Sequence, residues 1–176
     1  MDFSSGDNAS SPDALPEILF DAPLALARPL TIKAREYWMS LCQEKPMPPR
    51  DSITPRGMRD FLANIILFDV VETKAERDYS IRVAGTKVEQ TFGQLKGLKV
   101  RESFPPEIAT RWLKIINCML DRKEPIRASS RIAFKNMHWL RGEVFVAPLG
   151  SGDTVESIFV AVDIWQVEQP PGAKRT

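Results

Sequence analysis

YSIRVAGTKVEQTFGQLKGLKV, residues 79–100, changes its period twice. Tyr79, Ile81 and Val83 alternate with Ser80 and Arg82, the two-residue period of a strand. Gly85 then permits a sharp exit. Thr86 and Glu89 have the T-x-x-E spacing of a capping box, which predicts a helix start. Val88 and Phe92 fall four apart on that short helix, and Gly93 ends it in the C-cap manner. Gly97 marks one more turn. The stretch reads strand, short helix, loop. It has neither the G-x-G-x-x-G nor the G-K-[ST] spacing of a phosphate loop.

Upstream, IILFDVVE (65–72) is apolar at almost every position, which suits a strand buried on both faces in mid-sheet. With residues 79–83 it makes an antiparallel hairpin. Downstream, residues 106–122 carry Ile108, Trp112, Ile115, Ile116 and Met119 on one helical face, and Pro125 stops that helix. Three more strands follow, at 126–134, 139–149 and 155–165. The first and last strands are the most continuously apolar. They should be central neighbours in a five-stranded antiparallel sheet, with the more alternating strands at the edges.

Residues 31–45 form a further helix, with Thr31 as its cap and Pro46 as its stop. Its apolar stripe is Ala34, Tyr37, Trp38 and Leu41. That stripe can cover the exposed face of the sheet, or pair with the same helix of a second copy; both uses can hold at once. In ITPRGMRDFLANI, Thr54 caps a short helix with Pro55 at its first position. Residues 1–30 read as a disordered or extended segment, 31–165 as one domain with its flanking helix, and 166–176 as a tail.

The chain has 176 residues, 43% of them hydrophobic, enough for one good core. Its 24 Lys and Arg balance 23 Asp and Glu, which argues against a nucleic-acid surface. Cys42 and Cys118 lack C-x-x-C spacing and read as reduced, packed thiols. The N-terminus has no basic and apolar signal pattern, and no apolar run approaches the ~20 residues of a membrane span. A cytoplasmic protein is expected.

The order of two strands, short helices, one long helix and three strands resembles a PAS domain. Three blocks narrow the resemblance to a family of small bacterial single-domain PAS proteins. The first block comprises Tyr37, Trp38, Met47, Pro48, Arg50, Pro55, Asp69 and Val70. The second comprises Arg82, Gly85, Thr86, Phe92, Gly93 and Gly97. The third comprises Glu143, Pro148 and Leu149. The resemblance spans 31–163. It implies an α+β fold and a sensory or regulatory module acting through a homodimer or a signalling partner. It brings no catalytic residue and names no ligand, so any cofactor is unknown.

A sheet curved around helices can enclose a small apolar cavity or be wholly filled, and the residues leave both open. The candidate lining is Val83, Val88, Phe92, Trp112, Ile116, Met119, Phe134 and Phe145, with Arg82, Ser130 or His138 as polar contacts. A slip of one residue in any strand would reverse its assignment. His138, the single histidine, sits in a turn (NMHW) without further ligands around it, and reads as a solvated loop residue rather than a metal or haem ligand. Asp69 and Asp163 interrupt apolar strands, where a carboxylate is costly unless paired. Arg50 or Arg82 is the available cation, and Arg50–Asp69 is the candidate structural ion pair. The functional expectation is a non-catalytic regulator whose protein contacts a small ligand can modulate. The alternative is a ligand-free homodimeric scaffold.

Overall fold

The structure is a computed structural model that describes residues 17–21, 25–72, 76–132 and 140–167. The apolar run at 65–72 is strand β2 (Ile65–Glu72), which sends Ile66 and Phe68 to one core cluster and Ile65 and Leu67 to the other. It lies between β3 (Arg77–Ala84) and β6 (Thr154–Gln166). Ile65 faces Ala161 and Asp69 faces Ser157, so the expected neighbours are hydrogen-bonded antiparallel partners. The mixed α+β architecture is that of the expected fold.

The sheet has six strands rather than five, in the order β1-β4-β5-β6-β2-β3. The added strand, β1 (Leu19–Asp21), pairs with β4 (Ile126–Arg131) along the outer edge. It comes from a segment read above only as extended. Next to β4 runs β5 (Leu140–Ser151), whose long ladder with β6 forms the middle of the sheet.

Helix α1 (Pro29–Cys42) covers β5 and β6 on one face. Its N-cap is Arg28, not Thr31, which lies inside the first turn and is buried. The other face carries α2 (Thr86–Phe92), α3 (Val100–Ser103) and α4 (Pro106–Arg122). On α4, Ile108, Trp112, Ile115, Ile116 and Met119 are all buried, as their spacing predicts. Each such side chain contributes about 1.5–3 kcal/mol on leaving water.

The junction at 82–93 departs from its sequence reading in two details. Gly85 has an ordinary φ of −72°; glycine is required because a Cβ there would lie 2.4 Å from the Ala63 carbonyl. Glu89 does not close a capping box with Thr86. Its carboxylate instead accepts the Leu95 amide at 3.1 Å and the Lys96 amide at 3.4 Å, fixing the loop after α2. Gly93, at φ 92°, ends the helix as expected.

Candidate functional site

A cavity of about 80 Å³ lies between α4 and the outer half of the sheet. Its helical wall is Phe92, Ile108, Trp112 and Ile115. Its sheet wall is Ala128, Ser130 and Ile132, backed by Val144 and Val162, and Ile18 closes the side next to β1. Trp112 is held by stacking on Phe104 at 6.3 Å between ring centroids and by a tilted contact with Phe68 at 6.0 Å. Arg111 brings a guanidinium to this wall, and burial lowers its pKa. An arginine nevertheless stays charged, so Arg111, with Arg131 at the β4 side, sets fixed positive charge beside the apolar groups of the cavity.

Of the candidate lining, Phe92, Trp112 and Ser130 reach the cavity. Val88, Ile116 and Met119 are buried in the same cluster beside it. Arg82, Val83 and Phe145 are corrected: they belong to the opposite side of the sheet. The β2–β3 ladder shifts register between Leu67 and Phe68, so that Val83 faces Leu67 while Ile81 faces Phe68. This bulge at Arg82 turns Val83 away from the side taken by Tyr79 and Ile81. Phe145 is out of phase because β5 is apolar on both faces and offers no alternation to read. Phe134 and His138 lie outside the described residues.

Arg111 and Ile18 were not anticipated. Arg111 stands three residues after Ile108 and four before Ile115, so the helical spacing did contain that signal. Arg82 and Val83 instead line a groove with Arg50 and Asp69. There Arg50 Nη2 is 3.1 Å from Asp69 Oδ1, and Ser157 Oγ donates to the same oxygen at 3.0 Å.

The third motif block hid the most heavily bonded side chain. Glu143 is 0% exposed on β5. Its Oε1 accepts the Arg28 amide at 3.0 Å and the Thr31 hydroxyl at 2.5 Å. Its Oε2 accepts the Ala27 amide at 3.1 Å and Arg127 Nε at 2.8 Å. Burial alone would raise the pKa of this carboxyl. The bonds from Thr31, Arg127, Ala27 and Arg28 outweigh burial and hold it below the usual value. Arg127 also pairs with Asp21 of β1. Arg28 pairs with Asp163 at 2.8 Å and lies 4.6 Å over the Trp165 ring. One carboxylate therefore ties β4, β5 and the start of α1 together, and through Arg127 it reaches β1.

The α1 stripe is used within the chain. Ala34 and Trp38 are buried against the sheet, and Trp38 Nε1 donates to the Pro148 carbonyl at 3.0 Å. Tyr37 sets its ring edge-on to Phe61 and Phe159 and accepts the Thr54 amide. Its reading as a surface for a second copy does not suit Ala34 and Trp38, which are 0% and 5% exposed. Leu41 is half-buried. Cys42 and Cys118 are free thiols, and burial raises the pKa of Cys42.

Among the described residues, no group of three or more His, Cys, Asp and Glu is placed to hold a metal ion. No helix among them is long and apolar enough to cross a membrane. A family profile described as a PAS domain matches residues 26–162. No curated protein and no solved structure matches the chain.

Proposed function

The chain belongs to the PAS domain family, and on that premise we propose that it is a non-catalytic cytoplasmic regulator that acts through protein contacts tuned by a small apolar ligand. The family is in general sensory. The observation that carries the reading is the cavity under β4, walled by Trp112 and Ile115 and bordered by Arg111 and Ser130. Its 80 Å³ falls well below the roughly 300–1,000 Å³ of drug-sized pockets. The ligand is accordingly a molecule of a few heavy atoms, apolar in body, with at most one acceptor for Arg111 or Ser130.

Such a ligand signals only by favouring one arrangement of the protein over another. The arrangement within reach is that of Ile18 and β1, which border both the cavity and the outer sheet edge. A partner reading that edge would sense occupancy. The contacts are assigned to this edge rather than to a dimer built on the α1 stripe, because Ala34 and Trp38 already pack inside the chain.

The test is a ligand-observed NMR screen of small apolar molecules such as cyclopropane, 2-propanol and acetone, followed by thermal melts. Binding at 100 times Kd should add about 2.7 kcal/mol of stability. Ala128→Leu, which fills the cavity from β4, should abolish it. If no probe binds the wild-type chain saturably, or if binding survives Ala128→Leu, the ligand reading fails.

A further inference from the structure

Among the described residues, the outer edge of β4 is only partly occupied. Pairing with β1 stops at Leu19 opposite Ser129, so among the described residues Ser130 and Arg131 of β4 pair with β5 alone. Just beyond the end of β1, Arg131 stands directly across from Arg141 of β5. Both arginines are exposed, and neither makes an ion pair with a described residue. Like charges directly opposite on a sheet are unfavourable, and an acidic neighbour relieves them. Arg127 lies on the same strand face, four residues from Arg131.

β1 shows what fits this edge. Asp21 pairs with Arg127, while Phe20 packs on the core cluster and Ile18 closes the cavity. Continued in the same register, the chain would bring Glu17 opposite Arg131, yet Glu17 is exposed and makes no ion pair with a described residue. The segment from Glu17 to Asp21 thus has the order acid, apolar, any, apolar, acid, and closes only its second half onto β4.

We propose that β4, with Arg127, Arg131 and Arg141, is a docking edge for an extended acidic segment of a partner protein, and that β1 holds this edge in its absence. The partner strand replaces β1, pairs along the whole of β4, sets an apolar residue where Ile18 sits, and supplies carboxylates to both Arg127 and the Arg131–Arg141 pair. Main-chain hydrogen bonds to an open edge provide affinity, and alternate side chains provide selectivity. This names the partner class for the protein contacts proposed above and rests on that reading. The cavity ligand is tested without any peptide, so the two can fail separately.

The probe is a fluorescein-labelled peptide with the sequence of residues 15–24, LPEILFDAPL, titrated by fluorescence anisotropy into the full chain. Asp21→Lys loosens β1 without altering β4. It should bind the peptide at least 10-fold more tightly than wild type. Adding Arg131→Glu and Arg141→Glu should remove at least 10-fold of that affinity, and a peptide with both acids changed to lysine should not bind. Leu19→Pro weakens β1 pairing from a different position and serves should Asp21→Lys not fold. Three results would each overturn the proposal. They are no saturable binding to either folded variant, binding indifferent to Arg131 and Arg141, and a dimer formed by exchange of β1 between copies.

Discussion

The two faces of the sheet are built from the same strands and differ in how they are filled. Under α1, five aromatic rings interlock: Tyr37, Trp38, Phe61, Phe145 and Phe159 meet edge-on with centroids 5.9–6.4 Å apart. Under α4 the lining is mostly aliphatic around Trp112, and an 80 Å³ cavity remains beside β4. β5 and β6 supply alternate residues to both, Phe145 and Phe159 to the first, Val144 and Val160 to the second. The α1 side is close-packed at these rings and opens only away from them, into the groove at Arg50, Asp69 and Val83. A loosely packed face beside an edge strand leaves room for a ligand and for a neighbouring strand to be exchanged. Sensing needs both, because a response has to be local while the frame stays fixed.

The largest effect should come from the aromatic face. Trp38→Ala removes a buried ring and the donor to Pro148, and should cost about 3–5 kcal/mol in urea denaturation. Because Trp38 touches Phe145, the double variant with Phe145→Ala should deviate from additivity by about 0.5–3 kcal/mol. Trp38→Ala combined with Ala128→Leu, on the other face, should be additive within about 0.5 kcal/mol. Non-additivity across the sheet would show that the faces do not act independently.

A sharper test inserts volume instead of deleting it. Ala161 is 0% exposed beneath the aromatic rings. Ala161→Leu should cost about 1–3 kcal/mol by overpacking. Ala128→Leu adds the same volume on the cavity side and should be neutral or stabilising by up to about 1 kcal/mol. Equal costs in matched denaturant melts would mean that the cavity is not available space.

The sequence showed most of the frame and little of the site. The pairing of β2 with β6 followed from unbroken apolar runs, and α4 followed from its spacing. β5 could not be phased, because Val144 to Ala147 are apolar whichever face they take. The bulge at Arg82 left no trace in an otherwise regular alternation, so Val83 was assigned to the wrong side. β1 has three residues in a proline-rich segment and is defined by its partner rather than by any pattern of its own. Glu143 entered only through a motif block, although a carboxylate in an apolar strand demands partners. Those partners on the N-terminal side are Ala27, Arg28 and Thr31, between 112 and 116 residues away in the chain. No local pattern reaches that far.

Glu143 offers the finest distinction between the faces, because it anchors the start of α1 on one side and, through Arg127, the strand that borders the cavity on the other. Its folded pKa lies below the ordinary glutamate value near 4.5. A carboxyl whose pKa is depressed on folding contributes stability that is full above the unfolded pKa and is lost as pH falls through the folded one. Wild type should therefore lose stability below about pH 4.3, with a slope from this one group of at most about 1.4 kcal/mol per pH unit. Glu143→Gln should be less stable at pH 7 and should lack that part of the slope in urea melts between pH 3 and pH 6. Hydrogen exchange adds a spatial reading. The amides of Ala27 and Arg28 should lose protection first on acidification, while those of β2 and β6 should hold, since the Glu143 carboxylate bonds Ala27, Arg28, Thr31 and Arg127 and no group of β2 or β6. If the Ala27 and Arg28 amides and both strands exchange together in acid, the carboxylate supports the whole sheet rather than one anchor, and the division between a fixed face and an adjustable one is lost.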